Sequence, residues 1–193
     1  MAISNPDNSL FDGSNPPIPE IVHAQLAAIG QKFTPKQFKE LYQRICDLYE
    51  LKAKIFAEEI AAMAEEIHIQ PKIGWDLVSL KITIGPNILP TVTAVLDSPD
   101  GKRITSEASG YSSTDAICSV ITEVTQIPVF LKDFEFHTII GGLNSLGQVN
   151  ATTEYHNQQV RTTACSIDIL EAIAKAYLTA INIVLDRINQ QLE

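Results

Sequence analysis

The residues able to carry chemistry in this 193-residue chain are few and scattered. Its four histidines, His23, His68, His137 and His156, have no short-range partners among themselves, and its three cysteines, Cys46, Cys118 and Cys165, lack C-x-x-C spacing. A metal centre needs several such ligands at close intervals, and a disulfide framework needs an even number of cysteines. These residues therefore read as ordinary strand polar groups and small buried apolar side chains in a reducing compartment. No nucleophile, base and orienting group converge anywhere in the chain. What stands out is a pair of acids, each just inside a helix start: Asp115 in "SSTDAICSV" and Asp168 in "SIDILEAIAKAYLTAIN". An acid there is favoured by the helix dipole by about 0.3 to 1 kcal/mol, which suffices for a capping role. Glu171 and Lys175 stand four apart, a spacing that suffices for a helix-surface ion pair, and Gly141, Gly142 and Gly147 suit a shaped loop.

The elements that must position these groups follow from hydrophobic period. Residues 1 to 19 collect Asn, Ser, Asp, Gly and Pro, a composition that buries little and predicts a flexible arm. A short helix is expected from Glu20 to Ile29, ended by Gly30. Thr34 is a good N-cap with Pro35 at the first helical position, and Phe38, Leu41, Ile45 and Leu48 recur at helical spacing. Whether 34 to 67 is one long helix or a helical hairpin stays open, because nothing in "LYELKAKIFAEE" breaks the pattern. After Pro71 the period becomes 2: "VSLKITI" alternates Val78, Leu80, Ile82 and Ile84 against polar residues, and "PTVTAVLD" and "RITSEAS" follow around the hairpin turn "SPDGK". The helix "SSTDAICSVITEVTQI" ends this set. Then "VFLKDFEFHTII", "QVNATTEYH" and "QVRTTACS" lead into the helix that opens near Ser166, with a turn near Asn157.

The same order occurs twice. Ser113 and Ser166 are 53 apart (166 − 113), as are Asp115 and Asp168 (168 − 115). The chain thus reads as α+β: two βββα units, about 74–127 and 128–193, related by pseudo-twofold symmetry within a domain of 71–193, preceded by a small helical subdomain at 20–70 and the arm at 1–19. A three-stranded sheet with one helix is too small for a core of its own, so the units should pack together. A final helix with alanines on every side and little charge must be covered by its own sheet and by something else: the sister unit, a ligand or another subunit.

Composition excludes several functions. With 45% hydrophobic residues the chain is globular, and a formal net charge of −9 with only 14 Lys and Arg leaves no clustered basic face for nucleic acid or an anionic membrane. No run approaches the roughly 20 apolar residues of a membrane span and no leader opens the chain, so a cytoplasmic protein is expected.

The stretch "DILEAIAKAYLTAIN", with "GGLNSLGQV" upstream, resembles the C-terminal regulatory (allosteric dimerisation) domain of α-isopropylmalate synthase and citramalate synthase. Asp168, Ile169, Glu171, Ala172, Ala174, Lys175, Ala176, Tyr177 and Asn182 match that family's last helix, and Gly142, Leu146, Gly147 and Val149 its glycine loop. Gly110, Asp115 and Ala116 match the counterpart in the first unit. "FKELYQRICDLYELKAKI" resembles the linker subdomain that precedes it, so the resemblance spans roughly residues 20 to 187. It implies a homodimer without cofactor or metal that binds leucine, or isoleucine, as feedback effector, with a synthase catalytic subunit as a further partner. It also implies no catalysis by this segment, since the parent chemistry resides in a (β/α)8 barrel of about 250 residues. A zwitterionic effector needs donors, acceptors and an apolar pocket. Carried over, the effector-binding residues are Gly110, Asp115, Gly142, Asn144, Leu146, Gly147, Ala164 and Asp168. The chain departs from the pattern at Ala164, Ile167, Asn144, Gln148 and Ile173, which leaves an alternative: an interaction module that kept its interface and lost the effector.

Overall fold

The computed structural model describes residues 9–71, 73–140 and 144–192. They form two compact units, Met1–His68 with Thr138–Leu146, and Ile69–His137 with Gly147–Glu193. Of the loop expected inside the second domain, the described residues Asn144, Ser145 and Leu146 thus group with the helical residues.

In the helical unit, α1 spans Pro19–Ala28, α2 Pro35–Lys52 and α3 Ala57–Ile69. Thr34 caps α2 in a capping box with Gln37, as "TPKQ" requires. The open question of one helix or two resolves into a hairpin: α2 stops at Ala53, which adopts a left-handed conformation (φ 55°). Two ion pairs close the hairpin, Arg44 to Glu66 at 2.7 Å and Lys52 to Glu59, so rising numbers on α2 meet falling numbers on α3 and the helices run antiparallel. Glu59 and Glu66 are buried although charged. The expected flexible arm is corrected over its described residues. Phe11 is fully buried and bridges Ile55 through paired backbone bonds, while the hydroxyls of Tyr49 and Tyr42 donate to the carbonyls of Asp12 and Pro17. One aromatic anchor outweighs an average composition.

In the second unit, β1 (Asp76–Thr83), β2 (Thr91–Asp97) and β3 (Arg103–Ser109) form one antiparallel sheet, followed by α4 (Ser113–Thr125). β4 (Phe130–Thr138), β5 (Gly147–Tyr155) and β6 (Gln158–Ser166) form the second, followed by α5 (Ile169–Leu192). The two βββα repeats are therefore present. The β5–β6 turn places His156 and Asn157 at positive φ, as a two-residue type I′ hairpin demands.

Three expectations change in detail. A bulge between Leu77 and Ser79 shifts the register of β1, so that Leu77, Leu80 and Ile82 lie opposite buried Leu96, Ala94 and Val92, while Val78 and Ile84 are exposed. α5 starts at Ile169, because Asp168 is its cap: Oδ1 accepts from the amides of Leu170 and Glu171 at 2.8 and 3.3 Å. Ser166 ends β6 instead. The repeats consequently align 56 apart, not 53. The caps Ser112 and Asp168 (168 − 112) and the fully buried Ala116 and Ala172 (172 − 116) correspond at that spacing.

α5 is shared by both halves of the core. Ala174, Tyr177, Leu178, Ile181 and Val184 enter the larger apolar cluster with Val92, Leu96, Ile117 and Val120, and Ala172, Ile173 and Ala176 pack with Val149, Ala151 and Ala164. Its alanine-rich circumference is covered by the sister repeat of the same chain. Farther along, Asn182 clamps the entry to β1: its Oδ1 accepts from the Trp75 amide at 2.8 Å and its Nδ2 donates to the Trp75 carbonyl at 2.9 Å. A Cβ on Gly74 would stand 2.4 Å from Asn182 Cγ, so any side chain there would push the Asn182 clamp out of place. Asn182→Ala should lower the unfolding free energy by about 1 to 3 kcal/mol, the cost of orphaning the Trp75 amide and carbonyl. Urea unfolding followed by the fluorescence of Trp75, the single tryptophan, reads it directly. Stability unchanged to within about 0.5 kcal/mol would show the clamp to be idle.

Candidate functional site

Two grooves flank the helix starts of the second unit, and each joins a helix to the first strand of the other repeat. The first, about 480 Å³, lies between β1 and the start of α5. The second, about 640 Å³, lies between β4 and α4. Both fall in the range of small-molecule pockets.

The β1/α5 groove has an apolar wall that includes Leu77, Leu80, Ile82 and Ile84, with Leu170 from the helix. Its charged side is Asp168, Glu171 and Lys175. Asp168 Oδ1 is occupied by the two capping amides. Ser166, buried at the strand end, donates its hydroxyl to Glu171 Oε2 at 3.1 Å and accepts from the Asp168 amide at 3.2 Å. Glu171 in turn pairs with Lys175 at 2.5 Å. The groove thus presents both signs of charge beside an apolar surface.

The β4/α4 groove is lined on its polar side by Ser112, Asp115, Ser119, Thr122 and Glu123, with Phe130 and Leu131 on the strand. Asp115 Oδ2 accepts from the Tyr111 amide at 2.9 Å, and the Asp115 amide donates to Ser112 Oγ at 3.1 Å. Tyr177 reaches in from α5, its hydroxyl bonded to Thr122 Oγ1 at 2.8 Å and donating to the Val129 carbonyl. Burial pushes the Tyr177 hydroxyl up to about 12. Burial, aided by the Asp115 charge, likewise pushes the Cys118 thiol up to about 12, so it is no thiolate nucleophile.

The candidate residues from the sequence are distributed as follows. Asp115 and Asp168 line different grooves. Gly110 belongs with Asp115: a Cβ there would stand 2.5 Å from the Ala116 backbone nitrogen, so glycine permits the close approach of the strand end to α4. Gly147 opens β5 opposite Ser166, and a Cβ on it would meet the Phe136 ring at 2.3 Å. Ala164 is fully buried in the core opposite Val149. Asn144 is exposed at φ 59°, and buried Leu146 accepts from the Ile139 amide at 3.0 Å. Gly142 lies outside the described residues. The β1 wall was not among the sequence candidates. By spacing alone Glu171 and Lys175 read as a helix pair, and that spacing carries no sign that a strand about ninety residues earlier faces them.

Among the described residues no group of three or more His, Cys, Asp or Glu side chains stands together to hold a metal, and no helix is long and apolar enough to cross a membrane. Two antiparallel βββα repeats share one core and carry a groove at each helix start, an α+β architecture. The chain belongs to the family described as the LeuA allosteric (dimerisation) domain, which it matches over residues 54–185. It is similar to 2-isopropylmalate synthases: 30% identical over 155 residues to that of Geobacillus kaustophilus, 27% over 158 to that of Picosynechococcus, and 30% over 160 to that of Dictyoglomus turgidum. These alignments cover 80 to 82% of this chain and only 30 to 31% of the relatives. What is matched is the allosteric (dimerisation) segment, about 30% of the relatives' length.

Proposed function

We propose that this chain is an effector-binding regulatory domain that forms a homodimer and takes a branched-chain amino acid, leucine first, for feedback control of leucine synthesis by a synthase catalytic part. The observation that carries the reading is the pairing, in the β1/α5 groove, of an apolar strand wall with acids and a base at the helix start. A branched-chain zwitterion demands that combination, and the similarity to 2-isopropylmalate synthases favours leucine over its isomers.

A saturating ligand at about 100 times its dissociation constant adds roughly 2.7 kcal/mol to the folded state, so leucine should raise the melting temperature by about 5 to 10 °C. A melting series against leucine, isoleucine and valine tests this. No shift at millimolar concentration with any of them removes the effector reading and leaves an interaction module. Exposed Val78, Ile84, Ile88 and Leu89 around β1, and Phe130 and Phe136 on β4, favour a surface that a second copy covers. α5 supplies no such face, since its own chain covers it. Light scattering should return twice 21.2 kDa, and a strict monomer at tens of micromolar would contradict the dimer.

A further inference from the structure

We propose a binding site for a small aliphatic carboxylate, away from both helix starts, in a third groove between the β5–β6 turn and the last turns of α5. The groove holds about 250 Å³, near half of the 480 Å³ of the β1/α5 groove. The turn contributes His156 and Gln158, with Tyr155 beside them. The helix contributes Val184, Arg187, Ile188 and Gln191, spaced i, i+3, i+4 and i+7 and hence on one face of α5. The first repeat has no equivalent of that helical wall. At the 56-residue spacing Gln126, the left-handed residue that ends α4, corresponds to Asn182 (182 − 56), whereas α5 runs on to Leu192. All four helix residues of the groove belong to this extension.

The chain carries 23 acids against 14 bases, yet none of the described residues lining this groove is an acid. Asp186, the neighbour of Arg187, accepts from Gln190 Nε2 at 2.8 Å and stays out of the lining. Among the described residues no carboxylate pairs with Arg187. Its guanidinium is always charged, and the planar fork suits a carboxylate held by two parallel bonds. Gln158 and Gln191 add amide donors, and the His156 ring, edge-on to Tyr155 with centroids 4.3 Å apart, adds a polar edge. Buried Val184 and half-buried Ile188 supply the apolar side. One permanent cation beside an apolar surface selects a monoanion with a short hydrocarbon tail. A zwitterion is selected against, because its ammonium would meet no acid here.

The test is amide chemical-shift mapping of the full chain titrated with 4-methylpentanoate, with 4-methylpentanamide as its uncharged counterpart. Shifts are expected at residues 155–158 and 184–191, with the amide bound about tenfold more weakly than the acid. Arg187 is exposed, so Arg187→Met should fold normally and weaken the acid by about tenfold, the loss of a charge-assisted hydrogen bond. The same variant should bind the amide as wild type does, a result that a merely structural role for Arg187 would not produce. Arg187→Lys should recover part of the affinity, and Gln158→Glu, which sets an acid in the groove, should weaken the acid alone. The site is overturned by shifts that centre on residues 168–175 instead, by equal affinity for acid and amide, or by an Arg187→Met chain that binds the acid undiminished. The absence of any shift at tens of millimolar overturns it as well.

Discussion

Lys52→Met should destabilise the α2–α3 hairpin by about 3 to 5 kcal/mol, one of the two largest effects expected of a single substitution in this chain. Glu59 is fully buried, and its carboxylate is shared between the Lys52 ammonium and the Phe56 amide. Methionine matches the lysine stem in length, so apolar contact is largely kept and the change isolates the charge. What remains is an uncompensated buried carboxylate, which must be protonated or drag water in. The double variant Lys52→Met with Glu59→Met removes both charges, and most of the loss should return, short of the amide bond to Phe56. Urea unfolding followed by circular dichroism gives all three values, with exposed Lys39→Met as reference. A single variant within 1 kcal/mol of wild type would mean that Glu59 finds water and that the pair is in effect a surface one.

Local chemistry was readable wherever the physics is local. "TPKQ" capped a helix, alternation marked the strands, and paired Gly-containing and Asn-containing turns closed the hairpins. The doubled order of elements was visible because each repeat reuses the same periods. Its register was not, since overlaying the Asp residues assumed that they hold the same place in the helix. Asp115 is a third-position acid behind the cap Ser112, whereas Asp168 is itself a cap, and only hydrogen bonds tell these apart. The bulge at Val78 was equally hidden, because an unbroken alternation through Leu80 and Ile82 is compatible with either face until the partner strand is known. The site was least legible of all. Each groove is made by a helix and a strand from different repeats, and no spacing in the chain records that exchange.

Tyr177→Ala should cost about 3 to 5 kcal/mol, the range for deleting a buried aromatic ring, because Tyr177 is 1% exposed and sits where the two repeats meet. Its hydroxyl also ties α5 to Thr122 on α4 and to the Val129 carbonyl just before β4. Tyr177→Phe keeps the ring and should cost about 1 to 2 kcal/mol, the price of an orphaned carbonyl. The same groove makes stability fall at alkaline pH. Tyr177, raised to about 12 chiefly by burial, and Cys118, raised to about 12 by burial and then by Asp115, both keep their protons in the folded chain. In the unfolded chain they release them near pH 10 and 8.5. Their contribution is therefore whole below those unfolded values and is lost as pH rises toward 12. Each group removes up to about 1.4 kcal/mol per pH unit beyond its unfolded value. Cys118 acts first, from about pH 8.5, and Tyr177 joins it near pH 10. Between pH 8 and 11, Cys118→Ala should flatten the decline by about 2 to 3 kcal/mol and Tyr177→Phe by about 1. Urea unfolding across that range separates the two contributions. If both variants decline in parallel with wild type, the protons are not held in this groove, and the Tyr177 hydroxyl tie between the helices is a weaker bond than its geometry indicates.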